Sequence, residues 1–306
     1  MFVSSTTIAR KGTTELFAHL TLVPSLRFVA IHRSGLRYSW WHAPASSAAP
    51  TGWVGMNVVL EGTLATRNKP GPRAPTAWLY AEDDFEGSLG ARRQGFCACG
   101  DPFRSVAIHV APESCLLDLG PDARPQELVV PRSVFAACEH YLVVVQRRGS
   151  ADEWAGAAQG IGAALKNAGW LARELVIDTD RPADARISDV LTQIIGRFDP
   201  SAQLAELADR TSTTPRRVDR LLRSWMAKYG LPSESWRDVT RRWRLKMAVM
   251  LCSSPDYTVA EVAKIVGYQS ANAMTNAFAA EKLPPPSWYR TADLLGDPTM
   301  VRATVR

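Results

Sequence analysis

One local pattern occurs twice between residues 204 and 280, and it constrains the fold more than anything else in the chain. Leu204-Ala-Glu-Leu-Ala208 opens a short helix. Thr211-Ser-Thr-Thr214 then breaks it, with Thr214 placed as an N-cap and Pro215 at the first helical position, where a missing N–H is tolerated. In the helix that follows, over 215–223, Val218, Leu221 and Leu222 share an inward stripe, which leaves Arg216, Arg217, Arg220 and Arg223 outward. Further on, Glu261 follows Thr258 by three residues, the capping-box spacing, and Gly267 ends that helix. The next helix, over 270–280, carries Met274 and Phe278 inward at i, i+4 and turns Asn272, Ala273, Thr275 and Asn276 outward. Between the two pairs a long helix over 235–252 spaces Trp236, Val239, Trp243, Met247 and Leu251 along one face. The pattern predicts two helix-turn-helix units joined by a long helix.

Charge is concentrated in the same region. The chain carries a net charge of +6, yet residues 1–200 hold twenty basic and twenty acidic side chains, so the whole excess falls in the last third. Residues 210–246 alone have eleven basic against three acidic side chains. Such a patch is either a solvated helix face or an attractor of phosphate, and composition does not choose between them.

The first two thirds read differently. A chain of 306 residues with 46% hydrophobic content exceeds the usual single domain and predicts two. Short apolar or alternating runs separated by Gly, Pro, Asn and Asp predict strands over 26–32, 36–42, 53–60, 76–80, 103–110 and 127–130, the spacing of an all-β sandwich or barrel. Helical spacing follows over 133–147 and 152–175, with Asp152 as the cap of the second helix. Residues 178–184 have the composition of a turn or hinge, and a short amphipathic segment over 187–198 follows. The fold class expected is therefore α+β. A mainly β domain with packed helices occupies 1–180, a hinge with a short helix 181–200, a paired helix-turn-helix domain 201–292 and a tail 293–306. Neither a signal peptide nor an apolar run of about 18 residues is visible, so a soluble cytoplasmic protein without a membrane partner is expected.

Residues 200–290 resemble the AraC/XylS-type transcription regulators. The resemblance rests on Leu204 and Ala208, Thr214-Pro215, Val218, Arg220, Leu222 and Gly230, then Arg244-Leu245-x-x-Ala248-x-x-Leu251, Val262-Ala263, Gly267-Tyr268-x-Ser270, Phe278 and Pro286-x-x-Tyr289-Arg290. It implies sequence-specific binding of double-stranded DNA in two adjacent major grooves, by helices presenting Arg216, Asp219 and Arg220 in the first unit and Ala271, Asn272, Thr275 and Asn276 in the second. Arginine suits guanine, asparagine suits adenine, and Ala or the Thr methyl suits thymine. Arg217, Arg223, Arg241, Arg242 and Arg244 are expected to supply general electrostatics. The resemblance also implies a cupin-like N-terminal domain for a small effector or for dimerisation, and it admits RNA polymerase and a second copy of the chain as partners. Three positions depart from the family: Asn276 stands where Arg is common, Leu283 where Gly is frequent and Lys282 where an aromatic is frequent, ahead of Pro284-Pro-Pro286. Asp219 is able either to accept from cytosine or to pair with Arg216 or Arg223.

Other chemistries find less support. Cys97-Ala-Cys99, Cys115 and Cys138 lack the paired spacing of a zinc site, no His-x-His pair is present, and no metal or cofactor is expected. Cys138 and His140 would face apart on a helix, and neither Gly-x-Ser-x-Gly nor a phosphate-cradling glycine loop occurs, so a non-enzyme is expected. Trp40, Trp41, Trp53 and Trp78 are able to line an apolar pocket, although such residues are more often core. The competing reading is a protein-interaction module whose basic helices bind a protein partner.

Overall fold

The computed structural model describes residues 2–23, 26–36, 53–66, 74–81, 96–118, 126–174, 177, 185–196, 199, 202–229, 231, 235–281 and 283–291. Among the described residues seven strands form one antiparallel sheet in the order β1-β2-β3-β6-β4-β5-β7: β1 Phe2–Lys11, β2 Thr14–Val23, β3 Leu26–Ser34, β4 Val54–Thr66, β5 Thr76–Ala81, β6 Phe96–Val110 and β7 Gln126–Leu128. Nine helices follow among the described residues: α1 Arg132–Gln146, α2 Ala151–Asn167, α3 Ala185–Gly196, α4 Leu204–Arg210, α5 Pro215–Lys228, α6 Trp236–Cys252, α7 Val259–Ile265, α8 Ala271–Ala280 and α9 Trp288–Thr291. The α+β class expected from the sequence is what the chain adopts.

Alternation along the strands gives the sheet two buried faces, each with its own helices. Phe28 and Ala30 of β3, Met56 and Val58 of β4 and Val106 and Ile108 of β6 pack with Val134, Cys138, Tyr141 and Leu142 of α1 and Ile161 and Leu165 of α2. On the other face, Leu16, Leu20 and Leu22 of β2 and Val29 and Ile31 of β3 join one core with Ile187, Val190, Leu191 and Ile194 of α3. That core runs on without interruption into Val218, Leu222 and Trp225 of α5 and Trp243 of α6. The short amphipathic segment expected over 187–198 is helix α3, with Ile187, Val190, Leu191 and Ile194 all buried. Trp225 Nε1–H donates to Ser188 Oγ at 2.9 Å, fixing α5 to α3.

Several sequence expectations need correction. Strands β1 and β2 were not expected; they form a hairpin whose two-residue loop begins with Gly12 at φ 58°, the left-handed conformation that such loops favour and glycine adopts freely. The strand expected over 103–110 begins earlier, at Phe96, and the one over 127–130 is Gln126–Leu128. Of the strand expected over 36–42 only Leu36 lies among the described residues, and it is not in a strand. Ser150, not Asp152, caps α2: its Oγ accepts the Glu153 N–H while the Glu153 carboxylate accepts the Ser150 N–H. The same helix ends at Asn167 rather than running to 175. Gly169 at φ 72° takes the left-handed position, and the N–H groups of Gly169 and Trp170 bond back to Lys166 and Leu165, a Schellman stop.

Candidate nucleic-acid interface

The first helix-turn-helix unit is built by local chemistry. After α4, Ser212 N–H bonds to Asp209 O at 3.0 Å and Thr213 N–H to Ala208 O at 2.9 Å, again a Schellman turn, with Ser212 itself at φ 53°. Thr211 Oγ1 donates to Leu207 O at 2.7 Å, and Thr214 Oγ1 accepts the Arg217 N–H to start α5. Val218, Leu222, Trp225 and Met226 are buried and Leu221 is half-buried, whereas Arg216, Arg217, Arg220 and Arg223 are all exposed. Asp219 is half-buried, and its Oδ2 accepts from Arg223 Nε at 2.9 Å, so among the pairings open to it the i, i+4 one forms.

The second unit repeats the construction with different residues. Thr258 and Glu261 exchange both bonds of a capping box at the start of α7. Gly267 at φ 78° and Tyr268 bond back to Lys264 and Ala263 at 3.1 and 2.7 Å, and Ser270 Oγ then accepts the Ala273 N–H to start α8. Met274 and Phe278 are buried, and Tyr289 of α9 meets the Phe278 ring edge-on at 5.9 Å. Asn272 and Asn276 are exposed one turn apart, while Ala271, Ala273 and Thr275 are half-buried. The Thr275 hydroxyl donates to Ala271 O at 2.9 Å within the helix. No residue from Ala271 to Ala280 is charged.

Two of the arginines expected to supply general electrostatics have other work. Arg244 of α6 is half-buried; its Nε donates to Val266 O at 2.9 Å, its Nη2 donates to Gly267 O, and its guanidinium lies 4.1 Å from the centre of the Tyr268 ring. Arg241, one turn earlier, is exposed and pairs with Glu281 at 3.3 Å and Asp238 at 3.6 Å. The Arg242 side chain lies outside the described residues.

Sequence reasoning missed the contact between the β1–β2 loop and the second unit, which joins residues some 240 positions apart. Asp256 Oδ2, just ahead of α7, accepts the N–H groups of Thr13 and Thr14 at 2.8 and 2.9 Å and the Thr14 hydroxyl at 2.8 Å. A Cβ on Gly12 would stand 2.7 Å from that carboxylate, so the loop requires glycine twice over. Lys11 Nζ donates to Glu261 Oε1 at 2.6 Å. The Thr14 hydroxyl, followed by the Thr13 donors, holds Asp256 below its ordinary 3.8. The Lys11 hydrogen bond and the Thr258 donors bring Glu261 from 4.5 to about 2.

On the sheet face away from α1 and α2, polar side chains lie buried across neighbouring strands. Arg27 of β3, His109 of β6 and Gly55 of β4 share one row with Tyr80 of β5. Tyr80 OH and His109 Nε2 are 2.9 Å apart, and a Cβ on Gly55 would fall 2.1 Å from the Tyr80 ring, so glycine lets that ring cross the strand. Burial, then the charge of Arg27, holds His109 well below its ordinary value and therefore neutral. In the next row Asn57 sits between Trp78 and Ala107, fully buried, with neither amide atom hydrogen-bonded among the described residues. Trp53 stacks 5.7 Å from the Arg27 guanidinium, while Trp40 and Trp41 lie outside the described residues.

Cys115, Cys138 and Cys252 are free thiols, and burial pushes the Cys138 thiol up and that of Cys252 up to about 12. Cys138 is buried while His140 is exposed, so the two face apart as expected. No group of three or more metal-ligating side chains and no helix long and apolar enough to cross a membrane occurs among the described residues. The side chains of Cys97 and Cys99 lie outside those described.

No protein-family model matches the chain. No curated protein sequence matches it. Among solved structures it is similar to ToxT from Vibrio cholerae O395, 12% identical over 94% of this chain and 95% of that one with a TM-score of 0.34. The AraC-like transcriptional activator CuxR is 12% identical over 76% of this chain and 80% of that one, with a TM-score of 0.28. The transcriptional regulator CdpR from Pseudomonas aeruginosa is 15% identical over 63% of this chain and 46% of that one, also at 0.28.

Proposed function

We propose that the chain is a sequence-specific DNA-binding transcription regulator of the AraC/XylS type, which reads two adjacent major-groove segments with α5 and α8. The observation that carries this reading is the repeated unit: twice, a short helix ends in a Schellman turn and a hydroxyl-capped helix follows with its outer face exposed. A helix presented in this way fits a major groove. Arg216 and Arg220, one turn apart, offer forked donors to guanine, and Arg217 and Arg223 add attraction to phosphate. Asn272 and Asn276 offer paired donor and acceptor groups to adenine. A small effector is received on the buried polar face of the sheet, where Asn57 has hydrogen-bonding capacity to spare among the described residues. One observation favours a protein partner for the second unit: α8 has no charge to offer phosphate.

Selection of random duplex DNA by the whole protein at two salt concentrations tests the reading, with an Arg216→Ala/Arg220→Ala variant alongside. The expected result is a motif spanning two neighbouring major grooves, relaxed or lost in the variant. No enrichment for either protein, with equal residual binding, would overturn it in favour of a protein-interaction module.

A further inference from the structure

We infer that α6 acts as a splint for the second recognition helix, with Arg244 as the positioning residue that sets where α8 meets its half-site. This rests on the DNA-binding reading for its consequence but not for its geometry. At the end of α7 the Schellman bonds satisfy the carbonyls of Ala263 and Lys264, which leaves those of Val266 and Gly267 directed past the helix end. Arg244 reaches across from α6, 22 residues earlier in the chain, and donates to both, one from Nε and one from Nη2. A planar fork fixed by two acceptors and stacked on the Tyr268 ring defines the orientation of the turn in a way that a single point contact cannot. Only Gln269 stands between Tyr268 and Ser270, the N-cap of α8, so holding the turn holds the start of the recognition helix.

The far end of α8 is tied to the same splint. Glu281, its C-cap residue, pairs with Arg241 on the preceding turn of α6 at 3.3 Å. Because Arg241 is exposed that pair is the weaker tie, and Arg244, half-buried between α6 and the turn and bonded to two carbonyls, is the stronger. The first unit closes its turn with its own Thr211 hydroxyl instead, so loss of Arg244 has to act on one half-site and leave the other in place.

Two measurements on Arg244→Ala and Arg244→Lys separate this role from a phosphate contact and from a general loss of fold. In the free protein, hydrogen exchange at the Tyr268 and Ala273 amides is expected to speed up about 10-fold or more in Arg244→Ala, as charge-assisted bonds to two carbonyls are lost, with the Thr213 and Arg217 amides of the first unit unchanged. Lysine, with one point donor, should restore the rate only in part. On selected DNA, hydroxyl-radical protection over the α8 half-site should weaken about 10-fold relative to the α5 half-site, and the slope of log affinity against log salt should stay as in the parent protein. Unchanged exchange at Tyr268 and Ala273 would overturn the splint whether or not DNA binds. Equal loss of protection in both half-sites, or a slope reduced by about one, would overturn the positioning role, the latter by making Arg244 a phosphate contact. If the parent protein protects no DNA, the exchange result still decides the splint, and the DNA-binding reading falls alone.

Discussion

The two helix-turn-helix units share a backbone plan and almost nothing of its chemistry. The first ends its turn on Ser212 in a left-handed conformation, closes it with the hydroxyl of Thr211, and exposes four arginines on α5. The second ends on Gly267, is closed by Arg244 from another helix, is clasped from outside by Lys11, Thr13 and Thr14, and exposes an α8 with no charge. The turn of the first unit is closed by that unit's own residues, although Trp225 anchors α5 to Ser188 of α3. The turn of the second unit, ahead of an uncharged α8, is held by residues from outside the unit.

On the proposed DNA-binding reading, the largest expected effect lies in DNA affinity. Arg216→Ala/Arg220→Ala in α5 should lose about 1–3 kcal/mol per base-reading arginine, or flatten the salt slope by about one for each arginine that neutralises a phosphate. Asn272→Ala/Asn276→Ala in α8 should relax preference in its own half-site and leave the salt slope unchanged, because an amide releases no counterion. Titrations by fluorescence anisotropy at several salt concentrations check both. Equal slope changes in the two variants would break the contrast between a charged α5 and an uncharged α8.

Core truncations should be of similar size but differ in reach. Trp225→Ala and Phe278→Ala each remove a buried aromatic and should cost about 3–5 kcal/mol in chemical denaturation. Trp225 also anchors α5 to Ser188 of α3, so its loss should raise hydrogen exchange in α3, whereas Phe278→Ala should raise it in α8 and α9. If both variants loosen the same segments, the units do not have separate anchors.

A smaller effect follows from the clasp. Glu261 and Asp256 have folded values below their ordinary ones, so the stability they contribute is fully present above about 4.5 and 3.8 and is lost as pH falls, for Glu261 towards about 2. Acidification through that window should loosen the β1–β2 loop from the second unit. Glu261→Gln should be less stable than the parent at neutral pH and should lose less on acidification. A parent and variant that respond identically to pH would show that the clasp adds no stability to the folded state.

How much of this was visible beforehand depended on the range of the chemistry. The caps Thr214 and Thr258, the stop at Gly267 and the inward stripes of α5 and α8 are interactions within four residues, so the sequence displays them directly. The capping box Ser150-x-x-Glu153 and the stop at Gly169 are equally local, although Asp152 competes with Ser150 as a cap candidate and the apolar spacing continues past Gly169. Strand β2 was hidden for a physical reason: almost every residue of Thr14–Val23 is buried, on one face or the other, which erases the alternation that marks a half-exposed strand. The roles of Arg244 and Asp256 were not legible at all. Each depends on a partner far along the chain, and a cation on a basic helix looks the same whether it faces phosphate or a carbonyl.

The smallest effect probes the turns themselves. A non-glycine residue in the left-handed region costs about 1–2 kcal/mol, part of which glycine gives back through the greater freedom of its unfolded chain. Ser212→Gly should therefore stabilise the protein by a few tenths to about 1 kcal/mol, and Gly267→Ala should destabilise it by about 1 kcal/mol. Thermal melts of the two variants against the parent check the pair. Should Gly267→Ala cost clearly less than this, the second turn relaxes around the new side chain instead of being held by the Arg244 fork, and combining it with Arg244→Ala should then cost less than the two single changes added together.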